Sequence, residues 1–226
     1  MRRRLLFWSL SLIFGLLLLG SFGRPTLGNL SLDFDRFYQT IYSQHGEQRA
    51  RLAVTWQKML ERIKTLPDQQ KLVEVNNFVN KVVYYQSDIS NNRVKDHWAS
   101  IAETFGKGAG DCEDYAIAKY VTLRLAGVDD SHLRLIYVKA FYGGRTQAHL
   151  VLGYYPTPNS MPLILDNLIG EVKLANTRQD LKPVFSFNSR GLWAGLSKAT
   201  KSNPMARLSR WQQVMSKIER EGISLR

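Results

Sequence analysis

Residues 106–120 constrain the fold more than any other part of the chain, because they join a glycine-rich loop to an apolar helical pattern. Three glycines alternate with other residues just before Cys112, the single cysteine of the sequence. Glycines at this spacing predict a tight loop. Apolar residues with helical spacing follow, and the helix is expected to stop at Gly127. Cys112 is therefore predicted to lie at the N-terminus of a buried helix.

This position makes a reactive thiolate chemically reasonable. The macrodipole and the unpaired N–H groups of a helix N-terminus stabilise an anion, so the pKa of the Cys112 thiol is expected to be lowered. The plainer alternative is that Cys112 is a small buried apolar side chain. Asp111 and Asp114 would then serve only as the N-cap and N3 residues of the helix. The segment alone leaves both interpretations open.

Hydrophobic periodicity predicts helices before this segment and strands after it. The links between the later segments are short, which favours an antiparallel sheet with a turn at Gly143-Gly144. We therefore expect an α+β fold in which N-terminal helices pack on an antiparallel sheet. The predicted helices are 33–43, 48–66, 68–82, 98–105 and 205–219, the predicted strands are 133–140, 148–155 and 163–166, and residues 86–97 are predicted to form a polar loop.

Two polar residues stand at the ends of otherwise apolar strands. His149 starts the second predicted strand, and Asp166 ends the third. Cysteine hydrolysis needs a thiolate, an imidazole that pairs with it and protonates the leaving amine, and a group that orients the imidazole. A helix that carries Cys112 against strands that carry His149 and Asp166 supplies these parts. Taken singly, His149 is also explained as a core histidine and Asp166 as the start of a turn.

Three carboxylates surround the predicted start of the Cys112 helix. Asp111, Glu113 and Asp114 lie within four residues and repel one another unless positive charge is close. The helix dipole offsets part of this repulsion. A hard divalent ion such as Ca²⁺, which accepts irregular sets of oxygen ligands, would offset more, and the loop at 91–98 offers backbone carbonyls. Solvated capping acids explain the same pattern, and the spacing is not that of an EF-hand loop.

The first 19 residues have the pattern of a secretory signal. Three arginines at 2–4 precede a long apolar run. No clear cleavage site follows, and the run up to Gly23 is just long enough to span a bilayer, so an uncleaved N-terminal anchor is the alternative. In either case the remainder of the chain is expected outside the cytoplasm. We divide the chain into a signal peptide or membrane anchor, 1–27, and one folded domain, 28–226.

The formal net charge of the 226-residue chain is +12, which permits an acidic partner, an anionic membrane surface or nucleic acid. The basic side chains are scattered through the periodic segments. The sequence contains no recognisable nucleic-acid-binding module. We therefore expect a solvated basic surface and no nucleic-acid partner.

Five short blocks of sequence occur together between Phe78 and Trp193. They are Gly-Asp-Cys-Glu-Asp at 110–114, Ala-His at 148–149, Tyr-Tyr-Pro-Thr-Pro at 154–158, Leu-Asp-Asn at 165–167 and Gly-Leu-Trp at 191–193. In this combination the chain resembles the bacterial transglutaminase-like cysteine proteinases of the LapG type.

The resemblance implies a papain/transglutaminase-like fold and a calcium-dependent cysteine endopeptidase of the periplasm. It assigns the nucleophile to Cys112 at a helix N-terminus, the acid/base to His149 and the orienting group to Asp166. The predicted export agrees with that location. The acids that fall on the family's calcium-associated positions are Asp111, Glu113 and Asp114.

The resemblance also implies biological partners. Proteases of this type cut a large surface adhesin near its N-terminus, beside a paired-alanine site, and so release it and disperse biofilm. An inner-membrane receptor for cyclic di-GMP sequesters the protease when that messenger is abundant. The surface near Trp98 is our expectation for the docking site of the receptor.

Two other functions are compatible with the same residues. An acyl transferase of the transglutaminase type would form amide crosslinks with the same triad and the same acyl-enzyme. A binding protein without activity would keep Cys112 as a structural residue and make its contacts through the basic surface.

Overall fold

The computed structural model describes residues 30–94, 96–195, 200–202 and 208–225. The predicted signal peptide or anchor, 1–27, lies outside these residues, and so does the predicted start of the C-terminal helix at Met205. In the described part of the chain, no helix is both long enough and apolar enough to cross a membrane.

Helices dominate the first half of the described chain and strands dominate the second, as the hydrophobic periodicity predicts. The helices are α1 (Phe34–His45), α2 (Glu47–Ile63), α3 (Asp68–Val82), α4 (Asp88–Asn92), α5 (Ile101–Lys107), α6 (Cys112–Leu125) and α7 (Ser209–Arg220). The strands are β1 (Leu30–Leu32), β2 (Tyr84–Tyr85), β3 (Ala109–Gly110), β4 (Leu133–Tyr142), β5 (Arg145–Tyr154), β6 (Leu163–Leu165), β7 (Lys173–Leu174), β8 (Leu181–Phe187), β9 (Leu192–Ala194), β10 (Thr200–Ser202) and β11 (Ile223–Leu225).

The largest sheet of the described residues is antiparallel throughout. Its strands follow the order β10-β9-β8-β4-β5-β6-β7. The long β4–β5 hairpin forms its centre. Gly143 and Gly144 make the turn of this hairpin with φ values of 59° and 78°, the positive values that the favoured two-residue turn requires. The predicted α+β class, the antiparallel sheet and the turn are thus confirmed.

Helix α6 is the centre of the molecule, because it is buried on nearly every side. Its residues from Tyr115 to Leu123 lie in the main core, in contact with β5 and with α3 and α5. The fully buried Trp56 of α2 donates a hydrogen bond from Nε1 to Thr122 Oγ1 of α6 at 3.0 Å. A helix that is apolar on all faces needs such an interior position. The residue that begins α6 is therefore held by the whole core.

Two segments before α6 differ from the prediction. The predicted loop at 86–97 contains the short helix α4. The predicted helix at 98–105 begins only at Ile101. The reason is a capping box, in which Ser100 Oγ accepts from the Glu103 N–H at 3.2 Å and Glu103 Oε2 accepts from the Ser100 N–H at 3.1 Å.

Helix α7 closes the core at the C-terminal end. Its fully buried Trp211 makes edge contacts with Tyr120 of α6 at 5.5 Å and with Phe187 of β8 at 5.4 Å, measured between ring centroids. After α7 the chain forms β11, which pairs with β1. Neither β1 nor β11 is predicted from the sequence, because three residues carry too little periodicity.

Replacing Trp211 by alanine should lower the free energy of unfolding by roughly 3–5 kcal/mol, because a buried ring that joins α7 to α6 and β8 would leave a cavity. Urea denaturation followed by circular dichroism measures this change. Gln213→Ala, on the exposed side of α7, is the control and should change the free energy by less than about 0.5 kcal/mol. Equal stability of the two variants would contradict the described packing of α7.

Candidate active site

Cys112 is the first residue of α6, as predicted. The loop before it is held by β3, which pairs in parallel with β2, and the Gln86 N–H donates to the Gly110 carbonyl at 2.9 Å. Position 110 has no room for a side chain, because a Cβ on Gly110 would lie 2.6 Å from a carboxylate oxygen of Asp114. The glycines of the loop therefore allow the acids of α6 to fold back against the chain.

His149 and Asp166 meet in the sheet. His149 lies on β5 and Asp166 directly follows β6, the antiparallel neighbour of β5. His149 Nε2 and Asp166 Oδ1 are 2.8 Å apart, and both side chains are almost fully buried. The Leu168 N–H also donates to Asp166 Oδ1 at 3.1 Å. The structure thus makes the pair that the triad hypothesis requires.

The carboxyl of Asp166 is held in its ionised form. Burial opposes ionisation, but the hydrogen bond and charge of His149 and the hydrogen bond from Arg178 outweigh it, and they hold the pKa well below its usual range. Arg178 Nη2 donates to Asp166 Oδ2 at 2.6 Å. Arg178 lies in no sequence motif that would mark it as part of the site.

Cys112 and His149 line one open cleft of about 640 Å³. Four aromatic side chains form much of its wall, and α7 supplies part of its rim through Arg210. A cleft of this volume that is open to solvent can admit a peptide segment. The aromatic residues that line the cleft are Tyr85, Trp98, Tyr137 and Phe185.

The state of the Cys112 thiol corrects one prediction. Its Sγ donates to Glu113 Oε2 at 2.7 Å. The pKa of the thiol is raised far above its ordinary value, mainly by burial and then by the charges of Glu113 and Asp111. A hydrogen bond with the Leu150 backbone opposes this rise. The expected lowering by the helix N-terminus is wrong for this arrangement, because two neighbouring carboxylates and the loss of water outweigh the helix dipole.

The predicted acids Asp111 and Asp114 lie close to a further acid, Asp88, which is not predicted from the sequence. Oxygens of Asp88, Asp111 and Asp114 all lie within 4.8 Å of one another. Asp88 begins α4 and is 3% exposed, and Asp114 is fully buried. The predicted Glu113 belongs to the outer side of this acidic cluster, where its carboxylate, Asp88 and Asp96 satisfy the same distance limit.

Each buried acid is anchored by backbone N–H groups. Ala99 donates to Asp114 Oδ1 at 2.8 Å, and Asp111 donates to Asp114 Oδ2 at 3.2 Å. The His97 N–H and the Asn92 amide donate to the two oxygens of Asp88. These bonds fix the positions of the carboxylates, including the N-cap and N3 placement of Asp111 and Asp114 that the sequence predicts.

The electrostatics of the acidic cluster suit a divalent cation. Burial and the charges of Glu113, Asp114 and Asp88 raise the pKa of Asp111 to about 9. Burial is also the main cause that raises the pKa of Asp114 to about 7. Asp111 Oδ1 is buried and has no hydrogen-bond partner among the described residues. Carboxylate oxygens are the ligands that Ca²⁺ prefers, so the donor set fits the predicted ion. A backbone contribution from residues 91–98 stays a prediction.

The chain matches the family model of the bacterial transglutaminase-like cysteine proteinases over residues 40–199. This span contains all six residues predicted for the triad and the metal site. Among curated proteins, no significant match to the chain is found.

Solved structures of LapG from Legionella pneumophila have the same fold. An EGTA-treated form is 33% identical, with a TM-score of 0.72, and the match covers 84% of this chain and 100% of that one. A calcium-bound form is 36% identical, with a TM-score of 0.69, and the match covers 82% of this chain and 98% of that one. The chain therefore belongs to the bacterial transglutaminase-like cysteine proteinase family and is a cysteine protease of the LapG type.

Proposed function

We propose that the protein is a cysteine endopeptidase that uses Cys112, His149 and Asp166 as its triad. The observation that carries this proposal is the buried His149–Asp166 hydrogen bond beside the cleft that Cys112 also lines. Since Nε2 of His149 faces Asp166, Nδ1 is the nitrogen left for the thiol. Asp166 keeps the imidazole in the tautomer and orientation that proton transfer needs.

The reaction follows from these positions. His149 takes the proton of Cys112, and Sγ attacks the carbonyl carbon of the scissile peptide. The backbone N–H of Cys112, at the start of α6, stabilises the oxyanion. His149 then protonates the leaving amine and later removes a proton from the water that hydrolyses the thioester. A transglutaminase-type acyl transfer shares the first half of this reaction, and the proteinase family favours hydrolysis.

We further propose that Asp88, Asp111 and Asp114 bind Ca²⁺, with Glu113 at the outer side of the site. The calcium-bound form of the Legionella protein supports this assignment. A bound divalent ion supplies positive charge, not redox or acid–base chemistry. Within the chain, the acids hold α4 and the start of α6 in fixed relative positions. With the charges of Asp111 and Glu113 balanced, their contribution to the raised pKa of the Cys112 thiol becomes smaller.

The biological setting that we propose comes from the resemblance. The substrate is the N-terminal region of a large surface adhesin, the compartment is the periplasm, and the chain is either free there or held by its N-terminal segment. An inner-membrane receptor for cyclic di-GMP sequesters the protease. The net charge of +12 permits a nucleic-acid partner, but we propose none, because the basic side chains are scattered and the sequence contains no recognisable nucleic-acid-binding module.

Loss of the nucleophile or of the base should remove proteolysis. Cys112→Ala and His149→Gln should each lower kcat by about 10³-fold or more, because residues of a triad act as a unit. Activity is measured on the N-terminal region of an adhesin from the same cell, with protein that begins near Leu27.

His132→Gln is the matched control for this experiment. His132 bonds to the Tyr155 carbonyl through Nδ1 at 2.6 Å and stacks on Tyr154, away from the cleft. This variant should keep its activity while folded. Full proteolysis by Cys112→Ala would overturn the mechanism. An amine-labelled product from a glutamine peptide would instead support acyl transfer.

Calcium should raise the melting temperature, and the gain should be larger at pH 8 than at pH 5.5. The raised pKa values of Asp114 and Asp111, about 7 and about 9, mean that protons compete with the ion at the lower pH. In the chelated protein, the titration of these two groups lowers the free energy of unfolding as pH rises, because the folded state then binds more protons than the unfolded state. A ligand at 100 times its Kd adds about 2.7 kcal/mol, which corresponds to about 5–10 °C for a domain of this size.

Thermal unfolding with excess Ca²⁺ and with a chelator, at both pH values, measures this effect. Asp88→Asn should lose most of the gain. Asp35→Asn, which removes an exposed acid from the first turn of α1, should retain it. If wild-type protein melts at the same temperature with ion and with chelator, the calcium site is absent while the triad proposal stands.

A further inference from the structure

The second carboxylate oxygen of Asp166 is bound inside the protein. Oδ1 accepts from His149 and from the Leu168 N–H, and Oδ2 accepts from Arg178 Nη2 at 2.6 Å. The Arg178 and Asp166 side chains are 1% and 0% exposed. A charge-assisted hydrogen bond of this kind is about twice as strong as a neutral one. The plane of the carboxylate is therefore fixed from both sides.

Arg178 is itself fixed by a second carboxylate. Arg178 Nε donates to Asp180 Oδ1 at 2.9 Å, and Nη2 donates to Asp180 Oδ2 at 2.7 Å. The two parallel bonds hold the guanidinium in one plane. Asp180 is tied to the sheet, because its carbonyl accepts from the Phe141 N–H of β4 at 2.8 Å. The orientation of Arg178 is thus set by the strand next to the one that carries His149.

A buried guanidinium in this place does more than fill space. A buried carboxylate without a paired charge is costly, and it either takes up a proton or turns away from its partner. Both changes would weaken the bond to His149 Nε2, on which the direction of the imidazole depends. The series of contacts from Asp180 through Arg178 and Asp166 to His149 therefore transmits the geometry of the sheet to the imidazole, whose Nδ1 is the nitrogen that we propose for proton transfer with Cys112.

Lys119 of α6 is a further buried basic residue, whose charge interacts with that of Asp166, and it does not provide this orientation. Its Nζ has no hydrogen-bond partner in the described part of the chain, and it lies 5.7 Å from the centroid of the Tyr115 ring. Its charge acts on Asp166 through space only. Arg178 is the cation that determines the direction of the carboxylate.

We propose that Arg178 is a positioning residue of the active site, which together with Asp180 fixes the Asp166 carboxylate and through it the His149 imidazole. This inference rests on the proposed function, because that function gives His149 and Asp166 their roles. It adds a fourth and a fifth residue to the machinery of the triad.

The test uses Arg178→Gln and Arg178→Lys, with Arg134→Gln as the matched control. Arg134 is also a buried arginine, 4% exposed, but it stacks on Tyr155 and Trp193. The first readout is the rate of Cys112 alkylation by iodoacetamide at neutral pH in excess Ca²⁺. The single cysteine makes this rate specific to the active site.

Arg178→Gln should slow alkylation by about tenfold or more, because His149 no longer faces the thiol in a fixed orientation. Arg178→Lys should recover part of the rate, and Arg134→Gln should react like the wild type. On a peptide substrate, Arg178→Gln should lower kcat with little change in KM, since the cleft is intact. The downfield NMR signal of the His149 Nε2 proton, assigned by its loss in His149→Gln, should broaden or move in Arg178→Gln, change less in Arg178→Lys and stay unchanged in Arg134→Gln.

A folded Arg178→Gln protein with wild-type alkylation, kcat and His149 signal would overturn the inference. If this variant fails to fold, Asp180→Asn decides the matter. This substitution weakens the two hydrogen bonds that Asp180 accepts from Arg178, at a side chain that is only partly buried. It should slow alkylation of Cys112. An unchanged rate would contradict the positioning role of Arg178 and Asp180. Slow alkylation of the wild type, or alkylation that ignores His149→Gln, would instead refute the triad on which the inference rests.

Discussion

Repulsion between buried carboxylates at the start of α6 is the interaction on which the active site depends. Asp88, Asp111 and Asp114 come together where little water is available to screen them. Backbone N–H groups and the helix N-terminus compensate only part of this charge. Burial, the neighbouring Glu113 and the Asp111 member of this cluster together favour the neutral thiol of Cys112. The chemistry of the nucleophile is therefore coupled to the charge of the neighbouring acidic cluster, whose member Asp111 lines the same cleft as Cys112.

The two halves of the triad are supported by different parts of the fold. Cys112 lies at the start of a helix that is buried on nearly every side, whereas His149 lies on β5 and Asp166 directly follows β6, the strand that pairs with β5. The core and the sheet thus fix the positions of the triad residues, whereas the side chains next to each residue determine its charge state. Carboxylates at the helix start favour the protonated thiol, and the Asp166–Arg178 pair fixes the imidazole opposite it. The proposed reaction needs both the correct positions of these side chains and the correct charge state of the thiol.

The parts of the molecule that the sequence predicts are those with strong local patterns. The apolar run of α6 and the alternation in β4 and β5 are long enough to define their elements. Cys112 begins α6 and Asp166 directly follows β6, so both stand beside apolar runs. His149 is predicted to start its strand, but β5 begins earlier, at Arg145, and His149 is the first residue of its buried half. The fold class follows from these features, and so does the grouping of His149 with Asp166.

The site residues that are not predicted from the sequence are brought to the site by the tertiary structure. Asp88 lies far along the chain from Asp114, and their approach depends on the two-residue pairing of β2 with β3, which has no sequence signature. Arg178 looks like a surface arginine until the loop that carries it folds over Asp166. Even the raised pKa of Cys112 depends on this folding, because the helix dipole visible in the sequence favours the opposite shift.

The pairing of β1 with β11 brings the two ends of the described domain together. Leu30 lies opposite Leu225, and the Asp33 N–H donates to the Gly222 carbonyl at 2.8 Å. These contacts join residues almost at opposite ends of the chain, and contacts of such long sequence separation form late in folding. A ribosome delivers β1 long before its partner strand exists, and Trp211 enters the core only shortly before that. The complete domain therefore needs both segments, and β1 stays without its partner strand until β11 has been synthesised.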